Sequence, residues 1–297
     1  MDILDRLQKL VQNRVRVDEP LARHTSLKVG GPASYFLALR NIEELTSVIE
    51  FSKEENLDFF ILGEGTNVLF PDKGFSGLVI QLKGEFEKFF VEGNQVTAGA
   101  GVKLNNLVEK LAKRGLAGLE LVSGIPGSVG GAIVSNAGMK MGWIGDVVRE
   151  IRIFSDGEVK ILNKEELGFS YRHCDLPDKA IVLEVRLGLK NGKKSDIINT
   201  IKENLKERKK NQPVSTLNAG CVFRNPGTYE AGKLIESAGL KGARLGDAEV
   251  SKKHANFIIN CGRAKAEDVR NLIEKIQRTV KEKFDIDLEL ELKIVKG

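Results

Sequence analysis

Apolar residues recur along this chain with helical and strand periods, and the switches between the two outline its elements. Ile3, Leu4, Leu7, Leu10 and Val11 fall on one face at helical spacing, so the chain opens on a short amphipathic helix within residues 1–13. Asn41 followed by Glu44 forms a capping-box pattern, and Ile42, Leu45, Val48 and Ile49 give the ensuing helix, to about Ser52, a buried face. Apolar runs predict strands over 59–62, 78–82, 89–98 with a turn at Gly93-Asn94, a hairpin of 148–154 with 158–162, and 180–189. Helices are predicted over 104–114, closed by Gly115, over 196–210, and from Ala266 to about Lys283. At the C-terminus Leu288, Leu290, Leu292 and Ile294 alternate with Glu289, Glu291 and Lys293, the pattern of a half-buried strand. Helices and strands interleave, which predicts an α+β protein. Composition turns from the basic run ERKKNQP to turn-rich sequence near Pro213, which predicts two domains: 20–192, preceded by the first helix, and 213–297.

Two glycine-rich stretches interrupt this pattern. The longer, GIPGSVGGAIVSNAG over 124–138, must turn sharply and come close to something that side chains would obstruct. Its backbone N–H groups, with Ser128, Ser135 and Asn136, suit a polyanion; the alternative is a close crossing of two backbones. The shorter, GEGTN over 63–67, follows a strand: Gly63 and Gly65 permit close approach, and Thr66 and Asn67 can donate. Neither GxGxxG nor GxxxxGK[ST] is present here, so the dinucleotide and P-loop signatures are both missing. The polar cluster Arg23, His24, Thr25 and Ser26 is either a donor set or a solvated loop. Arg172, beside Tyr171 in GFSYR, either pairs with a carboxylate or phosphate or lies over the ring. Trp143 reads as the cap of a core edge.

Composition narrows the function classes. Of 297 residues, 41% are hydrophobic and 29% charged, ordinary for a globular protein with a full core. The formal charge of +5 is spread too thinly for a nucleic-acid stripe but suits a small anionic substrate. Cys174, Cys221 and Cys261 are widely separated, which argues against a disulfide framework and a zinc site. The N-terminus lacks the apolar core of a signal peptide and no run is long enough to span a membrane, so a cytoplasmic protein is expected.

The segment 218–260, NAGCVFRNPGTYEAGKLIESAGLKGARLGDAEVSKKHANFIIN, makes the picture specific. It resembles the signature of the UDP-N-acetylenolpyruvoylglucosamine reductase family: NAGS-x-F-K-N-P, then AG-x-LIE-x-AGLKG, then H-AN-F-x-x-N. GEGTN and GIPGSVGGAIVSNAG resemble the family's two flavin loops and GFSYR its arginine motif, and the likeness covers nearly the whole chain in the family's order. The resemblance implies a flavin-binding domain of the vanillyl-alcohol-oxidase (PCMH) type with a smaller α+β substrate-binding domain. It also implies noncovalent FAD, NADPH as hydride donor, and reduction of a UDP-sugar enolpyruvyl ether to UDP-N-acetylmuramate in peptidoglycan precursor synthesis. The short 171–185 passage carries no long insertion and so looks like the family's type II form. No metal, nucleic acid or membrane partner is expected, and the chain is expected to be a monomer.

Residue by residue, the resemblance implies FAD contacts from Gly63, Glu64, Gly65, Thr66, Asn67, Pro126, Gly127, Ser128, Gly130, Gly131, Asn136, Ala137 and Gly138. Reducing an enolpyruvyl bond needs a hydride donor, a stabiliser for enolate charge beside a carboxylate, and a proton donor. Flavin suits the first need and Arg172 the second. Glu291 matches the family's acidic position, with Glu289 the competing assignment. Cys221 stands where the family usually has serine; a thiol, with an ordinary pKa of about 8.5, is a more capable acid than an alkyl hydroxyl. The alternative for Cys221 is a small buried hydrophobe. Asn225 and His254 match substrate-binding positions, with Lys233 and Lys252 looser candidates. Two other readings are a different flavin oxidoreductase on the same fold and a noncatalytic nucleotide- or RNA-binding module.

Overall fold

A computed structural model describes residues 2–139 and 142–296, so Met1 of the expected first helix and Gly297 of the expected second domain lie outside it. The chain forms two compact units, each discontinuous: the first holds 1–16, 35–64 and 77–207, the second 17–34, 65–76 and 208–297.

In the first unit the predicted strands form an antiparallel five-stranded sheet in the order Glu158–Asn163, Val148–Ser155, Ile181–Gly188, Gln95–Gly99 and Phe89–Glu92. Phe59–Ile61 lies parallel to Phe75–Leu82, with Phe59 opposite Leu78 and Ile61 opposite Ile80. The helix Ile42–Glu54 begins as its cap predicts: the Asn41 side chain accepts from Glu44 N–H at 2.9 Å. The Glu44 carboxylate reaches back one residue further than a capping box requires, to Arg40 N–H at 2.8 Å. Leu45, Val48 and Ile49 of this helix and Leu104, Leu107, Val108 and Leu111 of the helix Leu104–Ala112 join one core with Leu78, Ile80, Val96 and Val185.

The second unit packs the helix Ala266–Phe284, with Val269, Leu272, Ile273, Ile276 and Val280 buried, into a core shared with Val222, Phe223, Val250 and Ile258. Its sheet is antiparallel, in the order Leu217–Asn218, Ile258–Asn260, Ala248–Val250, Arg244–Leu245. The contiguous division expected from the sequence differs from this arrangement because two N-terminal segments are bound into the second unit. Asn260, buried, donates to Leu27 O at 3.0 Å. Both oxygens of Asp72 accept the first N–H groups of the long helix, Ala266 at 2.8 Å and Glu267 at 3.0 Å, so a residue 194 positions earlier serves as its cap. The expected C-terminal strand is also shorter than its alternation suggests. Only Lys293–Ile294 forms a strand, parallel to Val68–Leu69, and Leu290 makes an isolated bridge to Phe223.

Candidate active site

The chain passes from the first unit to the second inside GEGTN, between Glu64 and Gly65. In the first unit the two glycine stretches touch: a Cβ on Gly63 would sit 2.6 Å from Ser128 Oγ. Ser128 is fixed there by an antiparallel bridge to Lys103, flanked by Leu104 N–H to Gly127 O at 3.0 Å and Val129 N–H to Val102 O at 2.8 Å. Its hydroxyl caps the short helix Val129–Val134 by accepting from Gly131 N–H at 3.2 Å.

Both readings of the longer stretch hold, in different halves. Gly130 donates to Ala100 O at 2.9 Å, and a Cβ on it would come within 2.8 Å of Ala100 Cβ. Gly130 and Gly131, expected among the cofactor ligands, therefore spend their N–H groups inside the protein: here glycine serves a close backbone crossing. Ala137 does the same, donating to Ala132 O at 2.8 Å. The N–H groups of Gly63, Glu64, Gly127 and Ser128, by contrast, bond no other described residue. These four backbone donors belong to the two glycine stretches that meet at Gly63 and Ser128, with the Lys103 ammonium 3.5 Å from the Glu64 carboxylate, a donor set suited to an anion cradle. This donor set fits the pyrophosphate of a dinucleotide such as FAD.

The far end of the longer stretch leads to Arg172. The Asn136 side chain, expected to face the cofactor, is buried and committed at both ends: its amide donates to Ser170 O at 2.8 Å and its oxygen accepts from Gly145 N–H at 3.1 Å. It thereby ties the flavin-type stretch to the GFSYR turn. Ser170 and His173 exchange N–H to O bonds of 3.1 Å, closing a two-residue turn in which Arg172 takes a left-handed φ of 55°. The Arg172 guanidinium lies over the Trp143 ring, 5.4 Å from its centroid, and Trp143 meets Tyr171 edge-on at 5.5 Å. Trp143, read from the sequence as a core cap, is thus a partner of the candidate catalytic arginine.

In the second unit Gly65 has a φ of +64°, and its carbonyl accepts from Ser26 N–H at 3.0 Å and Ser26 Oγ at 3.3 Å. The same hydroxyl donates to Asn218 O at 2.7 Å, so one member of the LARHTS loop clips GEGTN to the segment carrying Cys221. Asn218 accepts from Gly220 N–H at 2.9 Å, and Gly220, at φ +79°, delivers the chain to half-buried Cys221. Asn256 brackets the following residues, accepting from Phe223 N–H at 3.0 Å and donating to Phe223 O at 2.8 Å. The HAN motif in the sequence was the available signal for this residue.

Cys221 and Glu291 lie on adjacent chain segments. Glu291 N–H donates to Val222 O at 2.9 Å, Arg224 N–H donates to Glu289 O at 2.8 Å, and Asn67 donates its side-chain amide to Glu291 O at 3.0 Å. Glu291 is half-buried; Glu289 is 78% exposed and pairs with Arg224 at 3.9 Å. Asn225 uses its side-chain oxygen to accept from Ala231 N–H at 2.9 Å, at the start of the helix Ala231–Ser237. His254 accepts from Asn256 N–H through Nδ1 at 3.3 Å and packs on Phe257, and burial holds its pKa below the ordinary value. A neutral ring accepting at Nδ1 carries its proton on Nε2, where it can donate to a ligand. All three cysteines are outside disulfides; among the described residues no cluster of three His, Cys, Asp or Glu could hold a metal, and no helix is long and apolar enough to cross a membrane.

Comparison with known proteins agrees with this geometry. Residues 33–163 match an FAD binding domain, the region that contains the cradle, and the α+β flavin-binding fold makes this a flavin-dependent oxidoreductase. Residues 212–295 match the C-terminal domain of UDP-N-acetylenolpyruvoylglucosamine reductase. UDP-N-acetylenolpyruvoylglucosamine reductase 2 of Symbiobacterium thermophilum is 42% identical over 98% of this chain and 96% of its own length. The reductase of Moorella thermoacetica is 43% identical, over 97% of this chain and 95% of that one. The crystal structure of UDP-N-acetylenolpyruvylglucosamine reductase (MurB) from Thermus caldophilus superposes with a TM-score of 0.84 at 40% identity, covering 95% of this chain and 98% of that one. The chain belongs to the UDP-N-acetylenolpyruvoylglucosamine reductase family.

Proposed function

We propose that this protein reduces the enolpyruvyl group of UDP-N-acetylenolpyruvoylglucosamine to UDP-N-acetylmuramate, using NADPH, as a cytoplasmic monomer in peptidoglycan precursor synthesis. The observation that carries this reading is the pairing of the Cys221–Arg224 segment with Glu289–Glu291, which sets a thiol and a half-buried carboxyl group on adjacent segments. Bound FAD supplies the hydride carrier between NADPH and the substrate. The N–H groups of Gly63, Glu64, Gly127 and Ser128 hold its pyrophosphate, and Pro126 and Gly138 shape the cradle around it. Arg172, with its planar cationic fork, binds the substrate carboxylate and gains strength as enolate charge develops beside it. Cys221 donates the proton that completes the saturated ether. Glu291, rather than the exposed Glu289, supplies the carboxyl group that returns a proton to that position. Asn225 and the Nε2–H of His254 bond the nucleotide sugar.

Stopped-flow absorbance tests the assignment. Flavin prereduced by NADPH is mixed with the UDP-sugar for wild type, Cys221→Ser and Cys221→Ala. Reoxidation is expected to persist in the Ser variant and to fall at least about a hundredfold with Ala, the usual worth of a general acid. An Ala variant that turns over normally would remove Cys221 from the chemistry and leave the reductase reading standing.

A further inference from the structure

Trp143 lies one hairpin away from the flavin-type loop. Its backbone pairs with Gly138, the last residue of that stretch, and a Cβ on Gly138 would press within 2.7 Å of both Trp143 Cα and Cε3. Ile144 N–H donates to Ala137 O at 2.8 Å, and Trp143 N–H to Asp146 Oδ2 at 2.8 Å, so the indole is fixed at its root from two directions. Over that ring sits the Arg172 guanidinium, at the tip of a turn whose Ser170 carbonyl is held by Asn136 of the same stretch. An arginine side chain has many rotamers, and its use against a carboxylate depends on the fork facing one way.

Resting on the role proposed for Arg172, we infer that Trp143 is a positioning residue for the reaction: its indole face sets the direction of the Arg172 guanidinium and ties that direction to the order of the flavin-binding loop. A flat aromatic face attracts the guanidinium electrostatically and constrains the plane of its fork. The Tyr171 ring, edge-on to the indole at 80°, closes the cluster on another side. The residue acts through Arg172 and takes no part in the hydride or proton transfer itself.

A double-mutant cycle on the FAD-loaded protein tests this, with the two half-reactions followed separately. Trp143→Leu keeps apolar bulk and removes the π face. It is expected to slow flavin reoxidation by the UDP-sugar about tenfold, the rate equivalent of a half-buried cation–π contact, with flavin reduction by NADPH within about twofold of wild type. In an Arg172→Lys background, where the planar fork is already gone, the same change is expected to cost less than about threefold. A merely structural role would cost the same in both backgrounds, and that result, or unchanged reoxidation in Trp143→Leu, would overturn the inference. Should the Leu variant fail to hold flavin, Trp143→Phe replaces it: a loss of about threefold that vanishes beside Arg172→Lys supports the inference, and a loss that persists there refutes it. Wild-type flavin that the UDP-sugar does not reoxidise is the separate failure of the reductase reading.

Discussion

Replacing Gly65 with alanine loads two costs on one residue. The first is conformational: at φ +64° an L side chain is strained, at about 1 kcal/mol. The second is steric, because the new Cβ would overlap the His24 carbonyl oxygen and lie 2.9 Å from Thr25 Cα, both backbone atoms that cannot swing away. Relief requires the loop to withdraw from residues 24–26. That withdrawal breaks the two bonds that Ser26 makes to Gly65 O, at 3.0 and 3.3 Å, each worth about 1 kcal/mol net. The total is about 3 kcal/mol, or roughly a hundredfold in the population of the native loop. Gly227→Ala is the control: its φ is +57°, yet nothing lies within 4 Å of its Cβ position, so it carries the conformational cost alone. Urea unfolding of the FAD-loaded variants, with flavin release followed by fluorescence, measures both. Gly65→Ala is expected to lose flavin and unfold well before Gly227→Ala. Equal stability and full flavin content in the two variants would refute the argument that the close approach to residues 24–26 dictates glycine here.

Three further outcomes follow from single contacts. Asp72→Ala leaves the first N–H groups of Ala266 and Glu267 without their cap, and denaturant unfolding is expected to show a loss of about 1–2 kcal/mol; no loss would remove Asp72 as the cap. Burial lowers the pKa of His254, so the folded chain takes up this proton less readily than the unfolded chain. Its contribution is therefore present above the ordinary histidine pKa and is lost as pH falls below it, and the unfolding midpoint of wild type should drop more between pH 8 and pH 5 than that of His254→Gln. Equal drops would contradict the assignment. Burial, with the charge of Asp175 behind it, pushes the Cys174 thiol up to about 11, so at pH 8 roughly one molecule in a thousand carries the thiolate. Peptide mass mapping after brief iodoacetamide treatment should find exposed Cys261 labelled and Cys174 intact; the reverse order would be inconsistent with that burial.

Local signals explain what was legible in advance. Asn41 marks a helix start because its side chain bonds an N–H three residues on, and Gly93-Asn94 marks a hairpin because the turn needs a residue at positive φ, 60° at Gly93. The glycine stretches were likewise readable as turns, though which of their N–H groups stay open depends on Ala100 and Val102, some thirty residues away. The discontinuous units escaped the sequence because nothing in PDKG announces that Asp72 will cap a helix beginning at Ala266. Similarly, the alternation from Leu288 to Ile294 is regular, yet ladder pairing is limited to a bridge at Leu290 and two residues beside Val68–Leu69, since the segment changes partner between them, Leu292 N–H bonding Val222 O and Lys293 N–H bonding Asn67 O. Asn136 resembled a ligand donor and proves to bond Ser170 and Gly145, and the Asn225 oxygen accepts from Ala231 N–H, uses of an amide that only the folded chain reveals. Trp143 was undervalued for the same reason: its partner Arg172 comes from a turn closed by Ser170 and His173.

The most direct test of the account is an anaerobic stopped-flow measurement on the wild-type, FAD-loaded protein. Flavin is bleached with one equivalent of NADPH, then mixed with UDP-N-acetylenolpyruvoylglucosamine, and the quenched product is identified by mass spectrometry. The account predicts recovery of the oxidised flavin spectrum without oxygen, matched mole for mole by UDP-N-acetylmuramate. Flavin that stays bleached with the UDP-sugar and recovers only when oxygen is admitted would contradict it.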